Sequence, residues 1–278
     1  MRNSAMTRFL SRPNAALGLI FFSFMLLAAA WGLLATPYDP LRPDVWARLQ
    51  GPSALHWLGT DGFGRDVFSR LLVAAWVSAG VSMATVALAV TLGTGIGAIA
   101  GYLGGRVDDA VTVLMDALMS FPAILLALGI LAAIGPSPGG VVLALGLAYT
   151  PSVVRVVRGS VLSLKEREFI DAARVLGHGP LRTLLTHVIP NCLTPLTVLA
   201  TAMFGNALLS ESALSFLGAG VPPPAPTWGG MLAEGRQHVQ AAPWLCIFPG
   251  LAISMALLGI NLLGDALRDL LDPRMNKL

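Results

Sequence analysis

The sequence is poor in charged residues, and this shortage argues against an ordinary soluble fold. Aspartate, glutamate, lysine and arginine make up 12% of the 278 residues, about half of the roughly 25% that is usual in soluble domains. Only two cysteines are present, which excludes a disulfide-stabilised secreted scaffold. The net charge of +3 gives no indication of a nucleic-acid partner. With 55% hydrophobic residues and a mean hydropathy of +0.73, the chain is predicted to be an integral membrane protein in contact with the lipid bilayer.

Runs without charge divide the chain into six predicted transmembrane helices. A bilayer core needs about 20 apolar residues per helix. The uncharged run from Ala117 to Val154 is interrupted by the glycines and prolines of 135–140, which cannot continue a helix. The predicted spans cover about 14–35, 72–102, 108–134, 140–158, 188–215 and 243–265. We divide the chain into an N-terminal span with an outer loop (1–70), a membrane core (71–268) that contains an inner loop (159–190), and a tail (269–278).

Lysine and arginine are unevenly distributed between the two sides of this arrangement. If the N-terminus is cytoplasmic, thirteen of them lie in inner segments and five in outer segments. Cytoplasmic loops of membrane proteins carry an excess of these residues. The distribution therefore predicts a multi-pass protein of the cell (inner) membrane with both termini in the cytoplasm.

The inner loop has the sequence features of two short helices. Segment 163–166 has the spacing of a capping box and predicts a helix over 164–176. Gly177 suits the end of that helix, and Pro180 suits the first turn of the next. The first helix is predicted to present one apolar face, formed by Phe169, Ala172, Ala173 and Leu176. Such a face either inserts into a groove on a soluble partner or rests on the lipid surface.

This loop resembles a motif of binding-protein-dependent ABC importer permeases, the EAA loop. Asp171-Ala172-Ala173, Gly177 and His187-Val188-Ile189-Pro190 have the spacing of the family pattern. The chain departs from that pattern with Asp171 in place of Glu, His187 in place of Ile and Ile189 in place of Leu. Three further segments resemble the branch of the family that transports dipeptides, oligopeptides and nickel; they lie at 56–70, 215–232 and 261–274.

The resemblance implies an all-α type I ABC importer (MetI-like) permease with cytoplasmic EAA coupling helices. The residues implied to couple to an ATPase are Phe169, Asp171, Ala172, Ala173, Gly177 and Pro190. The implied partners are a second, homologous permease, two cytoplasmic ABC ATPase subunits and an extracytoplasmic solute-binding protein. The sequence contains no G-x-x-x-x-G-K-[ST] phosphate loop. We therefore expect this chain to be non-catalytic and the partner ATPases to bind ATP and magnesium.

Small and polar residues within the predicted spans are the remaining candidates. Gly93, Gly97 and Gly101 recur every four residues, a spacing that allows close helix packing within the chain or against the second permease. A carboxylate in the bilayer is costly and should face protein or a wet cavity. Candidates for the transport pathway, or for polar contacts inside the membrane, are Asp116, Asn206 and Glu211. The four histidines have no spacing typical of zinc ligands, so no metal site is predicted.

The outer loop carries a group of charges, Asp61, Arg65, Asp66 and Arg70, whose simplest interpretation is a solvated, self-paired cluster. Docking of a binding protein is the alternative. For the whole chain we predict a permease subunit that imports di- or oligopeptides and forms half of a pore. An importer of nickel or a metal chelate would have the same architecture. The alternative from another class is an ion-coupled secondary transporter, which would use paired ionisable residues near mid-membrane.

Overall fold

The structure is a computed structural model that describes residues 13–271, and its regular elements in that range are helical. The helices are α1 (Pro13–Leu34), α2 (Val67–Leu103), α3 (Gly105–Met119), α4 (Ala123–Ile134), α5 (Pro138–Leu164), α6 (Glu168–Val175), α7 (Pro180–Thr183), α8 (Ile189–Phe216), α9 (Trp228–Arg236) and α10 (Trp244–Leu271). A 3₁₀ turn covers Val45–Ala47, and a π-helical turn, Leu184–Val188, joins α7 to α8.

Some residues used to predict the orientation lie outside the described range: Arg2, Arg8, Arg12, Arg274 and Lys277. Most of the predicted tail, 269–278, lies outside it too.

Five of the described helices are long and apolar enough to cross a membrane. They are α1, α2, α5, α10 and the continuous helix Pro180–Phe216 that contains α7 and α8. Helices α3 and α4 meet this test only together, and they are bent by 91° relative to each other. The third predicted span, at about 108–134, is therefore two helices joined at a bend and not one continuous helix. The break falls just before Pro122, which disfavours the helical conformation of the preceding residue.

The packing of α5 on α2 shows that the bent pair crosses the membrane. Gly93 of α2 lies against Val153 of α5, and farther along both helices Gly101 lies against Val161. The two helices therefore run parallel, so the end of α2 and the start of α5 lie on opposite sides of the bundle. Helices α3 and α4 join those two points and must span the distance between them. The bundle thus has six crossings, one of them broken.

The first and last described helices are antiparallel neighbours. Gly18 near the start of α1 lies against Leu263 near the end of α10, and Phe22 lies against Gly259, one turn earlier on α10. The beginning of α1 and the end of α10 therefore lie on the same side of the membrane. The predicted boundary between 70 and 71 falls within α2, and α1 packs into the same bundle as the rest of the chain.

Two helix boundaries on the inner side differ from the predictions. Helix α5 continues through Leu164, so Ser163 lies inside its last turn and the predicted capping box is wrong. The tertiary packing of Val157 and Val161 against α2 stabilises these last turns of α5. The fifth span begins at Pro180 and not near 188, because the π turn continues α7 into α8 without a break.

Side-chain caps begin three helices. The Asp66 carboxylate accepts a hydrogen bond from the backbone N–H of Ser69 at 2.8 Å at the start of α2. The Ser137 hydroxyl caps α5 and the Thr227 hydroxyl caps α9, each by accepting from a backbone N–H at 3.0 Å. These oxygens satisfy N–H groups that have no partner within the helix. All three helices therefore have defined starts on the side of the bundle where α2 begins.

A cap of non-membrane structure covers that side, which we call the outer side. Helix α2 has 37 residues and is about 55 Å long at 1.5 Å per residue, longer than the roughly 30 Å apolar core of a bilayer. Its first turns project into the outer cap, which we define as the loop 35–66 and α9. The α9 residue Trp228 contacts α2 through its indole N–H, which donates to the Leu71 carbonyl at 3.2 Å.

Candidate functional site

The inner loop presents an apolar helix face that the chain itself does not cover. In α6, Phe169 is 44% exposed, and Val175 and Leu176 beyond it are 88% and 77% exposed. Ile170 and Ala173 are turned the other way and are buried at 0% and 4% exposure. The expectation that Ala173 belongs to the exposed apolar face is therefore wrong. An apolar stripe spans more than about 100° of a helix, and the edge that carries Ala173 packs on the chain's own core.

We call the exposed residues Phe169, Ala172, Val175 and Leu176 the coupling face.

Helix α6 ends at the predicted glycine: Gly177 has φ +79°, and the His178 N–H donates to the Ala173 carbonyl at 3.0 Å. This bond satisfies a carbonyl at the end of the helix. Asp171 is exposed near the start of α6, where a carboxylate interacts favourably with the helix dipole.

Pro190 is exposed and is the second residue of α8, directly after the π turn. Proline cannot donate a backbone hydrogen bond and crowds the carbonyl four residues earlier. The neighbouring Ile189 N–H donates to the carbonyl of Leu184, five residues back, so the helix is widened where Pro190 follows.

The same region brings His178 and His187 together, with Nδ1 of His178 3.4 Å from Nε2 of His187. No group of three or more metal-ligating side chains occurs among residues 13–271.

The glycines of α2 form a close seam with α5. A Cβ atom at Gly97 would lie 2.7 Å from the Val154 carbonyl oxygen, and one at Gly101 would lie 3.0 Å from the Val161 Cβ. Gly93 faces Val153 in the same way. The sequence left open whether these glycines pack within the chain or against a second permease. In the structure all three pack within the chain.

Two ion pairs link α3 to α5 on the inner half of the bundle. Asp116 pairs with Arg155 at 2.7 Å, and both side chains are more than half exposed. Nearer the inner ends of the helices, Asp108 pairs with Arg158. Arg155 lies nine residues before the end of α5, about 13 Å along the helix. A charged pair exposed at that depth is costly in lipid, so this side of α3 and α5 should face protein or water.

Two polar sites lie in the outer half of α8. Glu211 is fully buried, and its carboxylate accepts from the Ser215 hydroxyl at 2.8 Å, with Ser212 Oγ at 3.5 Å. Asn206 is exposed five residues earlier, and its backbone carbonyl accepts from the Tyr149 hydroxyl at 3.2 Å. Glu211 therefore lies within the packed interior, whereas Asn206 lies on the surface of the single chain.

The charges of the outer loop pair with one another, as predicted, but the network is buried and extends to α9. Asp61 and Arg70 have side chains only 6% and 3% exposed and pair with each other. Arg65 contacts Asp61 at 2.7 Å and Glu234 of α9 at 2.8 Å, and Arg70 contacts Glu234 at 3.0 Å. Burial raises the pKa of the Glu234 carboxyl above its usual value, and the Arg65 guanidinium opposes that rise. The expectation of a solvated cluster is wrong because α9, far away in sequence, covers these charges.

Comparison with known proteins agrees with these features. The family described as "Binding-protein-dependent transport system inner membrane component" matches residues 93–277. The chain is 44% identical to the dipeptide transport system permease protein of Alkalihalophilus pseudofirmus, over 94% of this chain and 86% of that protein. It is 41% identical to the nickel transport system permease protein of Escherichia coli K12, over 95% of this chain and 96% of that protein. It is 38% identical to the glutathione transport system permease protein of Pectobacterium atrosepticum, over 96% and 89% of the two chains.

Proposed function

The chain belongs to the family of binding-protein-dependent transport system inner membrane components, the permeases of ABC importers, and from this we propose that it forms half of the pore of an ATP-driven importer of di- or oligopeptides. The observation that carries the proposal is the coupling face on α6. Its apolar side chains are exposed on the side of the bundle away from the outer cap, on a helix whose other face is anchored in the core.

A cytoplasmic ATPase is the partner that suits this face. The sequence has no phosphate loop, so ATP and magnesium would bind the partner and the chain itself would be non-catalytic. Phe169 is 44% exposed, so burying the rest of this side chain would contribute roughly 0.7–1.3 kcal/mol to the association. We infer two ATPase subunits, one for this chain and one for a homologous second permease.

The second permease would cover the polar surface at membrane depth. The exposed Asp116–Arg155 pair and the exposed Asn206 lie on spanning helices, where contact with lipid is unfavourable. A partner permease and a wet pathway between the two chains would remove that cost. We expect the side chains of these three residues to line the pathway or its edge.

Movement of the ATPases would reach the membrane through α6. Ile170 belongs to the same core as Val161 of α5 and Val188 at the base of α8. Because packed interiors are poorly compressible, displacement of α6 would move the inner ends of α5 and α8 together. Alternating opening of the pathway to the two sides of the membrane would follow from that motion.

Both termini are proposed to be cytoplasmic. The antiparallel packing of α1 and α10 supports their being on one side, and the thirteen-to-five distribution of lysine and arginine supports the inner side. A reporter fused after Gln50 should give an extracytoplasmic signal, and one fused after Lys165 a cytoplasmic signal. Opposite signals would overturn the orientation.

Assembly with an ATPase tests the function directly. A tagged copy of the chain, expressed with its partner subunits, should recover the ATPase in detergent. The reconstituted complex should hydrolyse ATP faster when a ligand-loaded binding protein is added. Recovery of the chain without any ATPase would contradict the proposal.

The cargo is proposed from the named relatives. The dipeptide relative at 44% identity favours peptides, and the nickel relative at 41% makes nickel the second candidate. Uptake of a radiolabelled dipeptide and of ⁶³Ni²⁺ by the same proteoliposomes, each with its binding protein, would discriminate between them. Uptake of nickel without uptake of the peptide would reject the first candidate.

A further inference from the structure

The outer cap contains a cavity of about 630 Å³ that opens to solvent beside the buried ion pairs. Its lining combines the loop 35–66 with the start of α2 and with α9. The charged residues among its lining are Arg48, Asp61, Arg65, Arg70 and Glu234. Three guanidinium groups against two carboxylates leave a net charge of +1, so the cavity attracts anions.

The uncompensated charge belongs to Arg48. Arg65 and Arg70 share the carboxylates of Asp61 and Glu234. Among the ion pairs of residues 13–271 none includes Arg48, whose Nε donates to the Gly62 carbonyl at 2.7 Å. Its side chain is exposed at the cavity wall, so its remaining N–H groups are accessible. Arginine presents these donors in a geometry that matches a carboxylate.

The polar interior of the cavity is not fully satisfied by the chain. Arg70 lines the cavity with a side chain only 3% exposed, and its buried Nε has no hydrogen-bond partner in the structure. A buried donor without a partner is costly, so this part of the network is less stable than a fully paired one.

One exposed aromatic side chain lines the cavity, and another lies two residues before Arg48 in the sequence. Phe63 lines the cavity and is 61% exposed, and Trp46, in the turn before Arg48, is 93% exposed. The Asp44 N–H donates to the Phe63 carbonyl at 3.1 Å and holds that turn beside Phe63. Tryptophan and arginine are enriched among the residues that contribute most to protein–protein interfaces, so these exposed side chains favour a protein partner over a small free anion.

We propose that this cavity receives an acidic side chain of the extracytoplasmic solute-binding protein, with Arg48 as its ionic partner and Trp46 and Phe63 as the apolar contacts beside it. The proposal rests on the proposed function, since it requires a binding protein as the partner. It specifies which part of the outer surface that partner contacts and by which chemistry.

The test measures how much binding protein is needed to stimulate the ATPase of the complex in lipid nanodiscs. Arg48→Glu should raise the half-maximal concentration about tenfold, because like charges would then meet across the interface. Arg42→Glu is the matched control: Arg42 is exposed on the same loop but does not line the cavity. Arg48→Gln, which removes the charge without reversing it, should give a smaller rise. The difference between Arg48→Glu and wild type should shrink in 0.5 M salt, because the Debye length falls to about 4 Å.

Equal responses of the Arg48→Glu and Arg42→Glu complexes would overturn the proposal. A second result would also overturn it. If Arg48→Glu left the half-maximal concentration unchanged but weakened transport of a free peptide and not of its C-terminal amide, the cavity would bind the carboxylate of the cargo. A wild-type complex that no binding protein stimulates would reject the transport role itself. The comparison of Arg48→Glu with Arg42→Glu is made in a complex that the binding protein stimulates. It therefore tests the role of the cavity separately from the transport role.

Discussion

The outer cap and the coupling segment (165–179) differ in which of their side chains find partners within the chain. In the outer cap, Arg70 and Asp61 are buried in ion pairs that extend to Glu234, 164 residues away from Arg70. In the coupling segment, Val175 and Leu176 are exposed apolar side chains. In the first region the buried charges are paired within the chain, although apolar side chains such as Trp46 and Leu55 remain exposed on its surface. The second is only half closed, with one face of α6 packed and the other left for a partner.

This difference indicates which measurements should respond to substitutions in each region. Changes to the buried ion pairs of the outer cap should alter the stability of the isolated chain, since the contacts they remove are internal. Changes on the coupling face should alter assembly and leave stability nearly unchanged. A substitution that violates this division would show that one of the regions is misassigned.

The largest effect is expected from removing a partner of the buried ion pairs. Arg70→Ala would remove one of the two guanidinium groups that pair with the buried Asp61 carboxylate, and one of the two that pair with Glu234. Breaking a buried pair in this way costs about 3–5 kcal/mol of folding stability. Thermal unfolding of the purified chain in detergent should therefore show a large decrease in the midpoint, or the variant should accumulate poorly in the membrane.

The matched control is Arg42→Ala, an exposed arginine of the same loop with no ion pair among those of residues 13–271. Its unfolding midpoint should stay close to that of the wild type. If the two variants were equally stable, the outer cap would not be held together by its ion pairs.

Neighbouring residues of α6 should separate stability from assembly. Ile170→Ala removes a fully buried side chain and should cost about 2–5 kcal/mol of folding stability. Phe169→Ala removes a side chain of the coupling face that is 44% exposed, and it should weaken association with the ATPase by roughly 0.7–1.3 kcal/mol. The measurements are thermal unfolding of the chain and titration of the ATPase onto the immobilised permease. Loss of stability with Phe169→Ala, and unchanged stability with Ile170→Ala, would reverse the assigned faces.

The sequence predicted the helical class, the number of crossings and the end of α6, but not the bend of the third crossing. Pro151, Pro195 and Pro249 lie inside helices that continue through them, whereas α3 and α4 separate just before Pro122. Prolines in membrane helices are tolerated when neighbouring groups satisfy the freed backbone. Whether a helix breaks at a proline therefore depends on surrounding packing, which a single sequence does not contain.

Two other differences have the same origin. The segment 163–166 matched a capping box, but contacts of Val157 and Val161 with α2 extend α5 through it. Glu234 is one carboxylate in a short outer helix, and no local pattern connects it with Arg65 or Arg70. Local spacing determined the glycine cap at 177 correctly because that feature depends on the backbone conformation of one residue.

The seam between α2 and α5 connects the two regions and should show an intermediate effect. Gly97→Ala would place a methyl group 2.7 Å from the Val154 carbonyl oxygen, and such overpacking costs about 1–3 kcal/mol. Gly95→Ala, two residues away on the same helix, meets nothing within 4 Å and serves as the control. Thermal unfolding should show a decrease for the first variant only. A decrease of the same size for Gly95→Ala would mean that helix flexibility, and not the seam, determines stability.

The smallest effect is expected at the end of α6, where two glycines of the coupling segment differ in the backbone angle φ. Gly177 has φ +79° and Gly179 has φ −66°, and a Cβ atom at either position would meet nothing within 4 Å. Gly177→Val therefore introduces backbone strain of about 1–2 kcal/mol, whereas φ at Gly179 suits any L residue and Gly179→Val introduces no such strain. Because the strain is relieved by shifting the end of α6, we expect Gly177→Val to reduce the ATPase stimulation produced by loaded binding protein and Gly179→Val to preserve it. Insertion into the membrane should be normal for both variants. Wild-type stimulation with Gly177→Val would separate the end of α6 from coupling, and the role of the segment would then rest on Phe169 and the rest of the coupling face.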